Sequence, residues 1–86
     1  MNSKKIKEFV AKNSYFGFDN KEDEALMFST RKHGEFYEEG YGEQDLQAGN
    51  ILKEELLKEF PGIEVLIDTC DEWIMLFVKD KPFLKV

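Results

Sequence analysis

Residues 46–69 read LQAGNILKEELLKEFPGIEVLIDT, and the change of hydrophobic period inside this stretch decides the fold. Up to Phe60 the spacing is helical. Ala48, Leu52, Leu56 and Phe60 recur every four residues, and Leu46, Ile51 and Leu57 widen the stripe. Gln47, Asn50, Glu54 and Lys58 fill the opposite side, so the segment predicts an amphipathic helix laid on a sheet. Glu43 and Asp45 place negative charge where the helix dipole is positive, and Pro61-Gly62 cannot continue the helix. Glu54 and Lys58 form an i,i+4 pair in the favoured order. Gly49 costs about 1 kcal/mol against alanine; it either permits close approach to a strand or marks a later helix start.

Beyond Gly62 the period falls to two. Ile63, Val65, Ile67 and Thr69 share one face, and Glu64, Leu66 and Asp68 the other, as in a strand. Cys70-Asp71 then turns the chain into a strand over Glu72 to Lys79. Its centre, Trp73 to Val78, is apolar on both sides, the mark of a strand whose two faces are both kept from water. This is a hairpin. Asp80-Lys81-Pro82 turns once more, and Phe83 to Val86 reads as a short edge strand or a docked tail.

Toward the N-terminus, Asn2 and Ser3 are suitable N-caps, and Ile6, Phe9 and Val10 follow on one face, which predicts a helix from Ser3 to Lys12. Residues 13–20 mix turn formers with Tyr15, Phe16 and Phe18 and read as a loop pinned to the core, followed by a polar turn over Lys21 to Glu24. Alternation resumes from Ala25 to Arg31. It is interrupted by Lys32-His33-Gly34 and returns over Glu35 to Tyr41, so an earlier hairpin is expected there.

These readings give a single α+β domain over residues 1–86 in αββαββ order. One mostly antiparallel four-stranded sheet carries the long second helix on one face, with the first helix beside it or around an edge. On this assignment Leu26, Phe28, Phe36, Val65, Ile67, Ile74, Leu76 and Val78 face the main helix. The opposite face collects Met27, Tyr37, Tyr41, Leu66, Trp73, Met75 and Phe77, which is too apolar to be left in water. Helix one with the Tyr15 to Phe18 loop, the Phe83 to Val86 tail or another molecule should cover it.

Composition narrows the functional classes. An 86-residue chain with 42% hydrophobic residues can close a core alone, and a lone cysteine, Cys70, rules out an internal disulfide. With His33 as the single histidine, no familiar zinc site can be assembled. No stretch reaches the roughly 20 apolar residues needed to span a bilayer, and Met1 to Lys12 holds no apolar run of signal-peptide kind, so a cytoplasmic location is expected with no membrane partner. A net charge of -6 repels phosphate backbones, which argues against direct nucleic-acid binding; Lys4, Lys5, Lys7 and Lys12 are read as a solvated helix face.

No catalytic constellation, metal site or cofactor motif emerges. The chain has no phosphate-binding glycine loop, nucleophile elbow or H-E-x-x-H. Nothing brings Cys70 beside His33, and the acidic runs lack the spacing of a calcium loop. Asp68, near Trp73, is a loose candidate for an acid with a raised pKa and carries no assignment.

The leading expectation is therefore a small non-enzymatic protein-binding or regulatory module. Its partner is another protein or a second copy of the chain, and its binding residues are Tyr37, Tyr41, Leu66, Trp73, Met75 and Phe77 on the apolar sheet face. A second class is an acidic mimic of nucleic acid, of the phage or mobile-element inhibitor type, working through Glu38, Glu39, Glu43 and Asp45. A third is a small-ligand domain with a pocket between helix one and the aromatic loop.

Overall fold

The structure is a computed structural model that describes residues 1–22, 24–30, 43–69 and 74–81. Its elements are α1 (Ser3–Asn13), β1 (Gly17–Glu22), β2 (Ala25–Ser29), α2 (Glu43–Glu59), β3 (Ile63–Thr69) and β4 (Ile74–Asp80). The strands form one sheet in the order β1-β2-β4-β3, and every neighbouring pair is antiparallel. The αββαββ order and the α+β class follow as the sequence predicts.

Helix α1 starts where its cap lies: the Asn2 side-chain oxygen accepts from the Lys5 N–H at 3.1 Å. It ends with Ser14, whose N–H and hydroxyl both donate to the Val10 carbonyl, at 3.0 and 2.8 Å. Both helices lie on the same face of the sheet. Ile6 and Val10 of α1 and Leu52 and Leu56 of α2 join Leu26, Phe28, Val65, Ile74, Leu76 and Val78 in one buried cluster. The rings of Phe9 and Phe60 meet edge to face at 5.6 Å, tying α1 to the end of α2. Helix one thus stands beside the main helix, and it is not available to cover the sheet's other face.

The buried line of α2 runs through Asp45, Gly49, Leu52 and Leu56. Ile51 and Leu57, expected to widen the stripe, are 57% and 42% exposed. At about 100° per residue, Ile51 lies some 200° past Gly49 and points away from a sheet that contacts only one side of the helix. Gly49 is six residues inside the helix, so it is not a late start: a Cβ there would lie 3.4 Å from Phe16 Cζ and 3.5 Å from Ile74 Cγ2. These are ordinary contact distances, so the packing here does not require a glycine.

The first hairpin differs from the expected one. Gly17–Glu22, read from sequence as loop and turn, is strand β1, and it pairs with β2 across a bulge between Phe18 and Asn20. That bulge hides the strand, because the extra residue breaks the alternation on which strand reading depends. The other edge of β2 is taken by β4. Glu35 to Tyr41 lies outside the described residues, and β2, its expected partner, is bonded on both edges.

The two strands of the second hairpin pair as predicted, while the Cys70-Asp71 turn and Glu72 lie outside the described residues. Pairing of β3 with β4 runs without interruption from Ile63↔Asp80 to Thr69↔Ile74. Trp73, expected in this strand, lies outside the described residues.

Candidate functional site

The sheet face turned away from both helices is the candidate site. Strand alternation places Met27, Leu66, Met75 and Phe77 on it, and the register sets them in rows. Met27 pairs with Phe77 and Phe77 with Leu66, giving an apolar row three strands wide. The next row runs Ser29, Met75, Asp68, and on the other side of the apolar row Lys79 pairs with Glu64.

Exposure differs along these rows. Leu66 is 48% exposed at the sheet edge, Met27 and Phe77 are half-buried, and Met75 is buried. The polar neighbours are bonded locally. Ser29 Oγ donates to Asp19 Oδ2 at 2.8 Å, and Lys79 Nζ approaches Glu64 Oε1 to 3.9 Å. The part of this face open to contact is therefore the apolar row, most of all its Leu66 end, because Ser29 and Met75 in the next row are buried.

Of the residues assigned to this face from sequence, Leu66, Met75 and Phe77 are brought together as expected. Tyr37, Tyr41 and Trp73 lie outside the described residues. The Tyr15 to Phe18 segment does not cover the face either, since Phe16 belongs to the core on the helix side. The Phe83 to Val86 tail is outside the described residues.

The acidic surface is corrected at one position. Asp45 is 1% exposed, and its Oδ1 accepts a hydrogen bond from the Tyr15 hydroxyl. It sits in the first turn of α2, where the helix dipole favours a carboxylate, so its charge is spent inside the fold. Sequence reading found the helix-end charge but had no signal for Tyr15, 30 residues away, as its donor. Glu43 is exposed, and Glu38 and Glu39 lie outside the described residues.

Apart from this face, a concavity of about 280 Å³ opens between α1 and β1. Val10, Ala11, Phe16 and Phe28 line it together with Lys7, Ser14, Tyr15 and Phe18. Lys7 Nζ lies 4.1 Å from the centre of the Phe18 ring, within cation–π range. Phe18 itself is 42% exposed and packs edge to face on Phe28.

Family models, curated proteins and solved structures give no match to this chain. Function must therefore be argued from the site alone. Among the described residues, no three histidine, cysteine or carboxylate side chains gather as a metal site would require. No helix among them is long and apolar enough to cross a membrane. What the described part of the face offers is apolar contact area flanked by Ser29, Asp68, Glu64 and Lys79.

Proposed function

We propose that this chain is a small non-enzymatic protein-binding module whose contact surface is the sheet face opposite the two helices. The observation that carries the reading is the continuous row Met27, Phe77, Leu66, which spans three strands and ends in a leucine 48% exposed. Met and aromatic residues flanked by satisfied polar groups supply adaptable, desolvating contacts of the kind that anchor protein interfaces.

The test compares the parent with Leu66→Asp and Phe77→Asp, reading solution mass across a dilution series and uptake of an apolar dye. The parent is expected to self-associate or to take up the dye, and each aspartate variant to lose that behaviour while its circular dichroism is unchanged. A parent that stays monomeric and takes up no dye would sink the reading.

The groove under α1 supports a second reading, a small ligand with an aromatic or acidic group seated between Lys7 and Phe18. Aromatic carboxylate fragments should then shift the amide resonances of Lys7, Ala11 and Phe18 in a saturable way. A titration that leaves them in place removes this reading.

A further inference from the structure

We infer that two copies of this chain pair through the outer edges of their β3 strands, antiparallel and centred on Val65, to join two sheets into one. The pairing rests on the reading of the chain as a protein-binding module and names a second copy as the partner.

The two edges of the sheet are built differently. The β1 edge is interrupted by the bulge between Phe18 and Asn20, and the Asn20 side chain takes the Lys21 N–H at 2.8 Å. Both features blunt an edge against further pairing. Strand β3 has neither: it runs seven residues in unbroken register with β4, and its outer edge meets no other strand among the described residues. Its residues are mostly β-branched or leucine, which favours further pairing. A regular edge of this kind is a template for another strand.

Charge selects the register. Antiparallel pairing about a two-fold axis sets residues opposite each other when their numbers sum to a constant. Centred on Leu66, Glu64 would face Asp68 of the partner subunit twice over, and like charges directly opposite are unfavourable. Centred on Ile67, no two acids are opposed, but the partner's Asp68 lies opposite Leu66, which has Phe77 and no cation on its inner side. Centred on Val65, Ile63 meets Ile67 of the partner subunit, Val65 meets the partner's Val65, and Glu64 meets the partner's Leu66. No two acids are opposed.

The same register supplies an attraction. The partner's Asp68 falls opposite Gly62, and on the inner side of Gly62 lies Lys81, whose N–H donates to the Gly62 carbonyl at 2.9 Å. Gly62 has no side chain to stand between them. Lys81 and the partner's Asp68 are then two strand spacings apart, roughly 10 Å between backbones, a span a lysine side chain and an aspartate can close. Both residues are exposed in the single chain, and the two-fold axis makes the contact twice. Because the axis is perpendicular to the sheet, the two Met27, Phe77, Leu66 rows come to lie on one side of one larger sheet.

The test is cross-linking under mild oxidation in a Cys70→Ser background. Glu64→Cys/Leu66→Cys should yield covalent dimer at least tenfold faster than either single variant, because only unlike positions are opposed and disulfides demand close Cβ atoms. Equal cross-linking by Leu66→Cys alone would place the axis on Leu66 and overturn the inference. So would a monomeric mass at every concentration with no cross-linked product. Asp68→Lys should weaken the dimer at least tenfold, and adding Lys81→Asp should restore it; an unchanged dimer with Asp68→Lys contradicts the charge pairing. A dimer abolished by Phe77→Asp but never cross-linked by the double variant would mean face-to-face stacking. That outcome overturns edge pairing while leaving the binding-face reading intact.

Discussion

Single residues in this fold are settled by what lies next to them. Gly49 is the clearest case, since helix propensity disfavours glycine there and packing does not require it. A methyl group would meet Phe16, Ile74 and Ile67 at 3.4 to 3.8 Å, which is ordinary contact, so Gly49→Ala should gain up to about 1 kcal/mol in chemical denaturation. Gly49→Val adds bulk against the same atoms and should lose about 1–3 kcal/mol. Two positions with positive φ form a complementary pair. Gly62 at +96° has open space around it, so Gly62→Ala should cost about 1–2 kcal/mol through backbone strain alone. Glu24 holds φ +65° with a side chain present, and Glu24→Gly should recover part of a similar cost. The Tyr15–Asp45 bond joins the end of the first connection to the start of α2. Tyr15→Phe removes the donor from a buried carboxylate and should destabilise the fold by about 2 kcal/mol, measured by urea unfolding.

At the level of elements, legibility tracked how strictly each segment keeps one period. Helix α2 keeps 3.6 for 17 residues and β3 keeps two for seven, and both stand where the sequence places them. Strand β1 changes phase at its bulge and carries Gly17, Asp19 and Asn20, residues that also make turns, so its strand character was not legible. An edge strand beside a strong β2 needs little propensity of its own, because half of its hydrogen bonds are supplied by the neighbour. Helix α1 is short enough that its cap matters: Asn2→Ala should cost about 1 kcal/mol. Faster amide hydrogen exchange confined to its first turn would check that the loss is local.

For the whole molecule, the two faces of one sheet should respond to mutation in opposite ways. Leu76 is fully buried beneath the helices, and Leu76→Ala should cost about 2–5 kcal/mol with no specific effect on association. Leu66→Asp on the other face should change stability by less than about 1 kcal/mol yet abolish the contacts of the apolar row. Thermal unfolding and solution mass, measured on the same two variants, separate the roles. If Leu66→Asp unfolded the chain as Leu76→Ala does, the second face would be part of the core and the binding reading would have to be given up.

The residues themselves determined the α+β class, the two helices, the β3 and β4 strands and which apolar side chains share a face, because periodicity and capping are local properties of the chain. Face membership of Leu26, Phe28, Val65, Ile67, Ile74, Leu76 and Val78 was readable for that reason, as was that of Leu66, Met75 and Phe77. Only the tertiary structure decided that β2 pairs with β1 and β4, that α1 lies on the same face as α2, and that Asp45 is buried against Tyr15. Each is a choice among partners far apart along the chain. A strand's alternation states which side it buries but not which strand it joins, and a carboxylate's position on a helix does not reveal its hydrogen-bond donor.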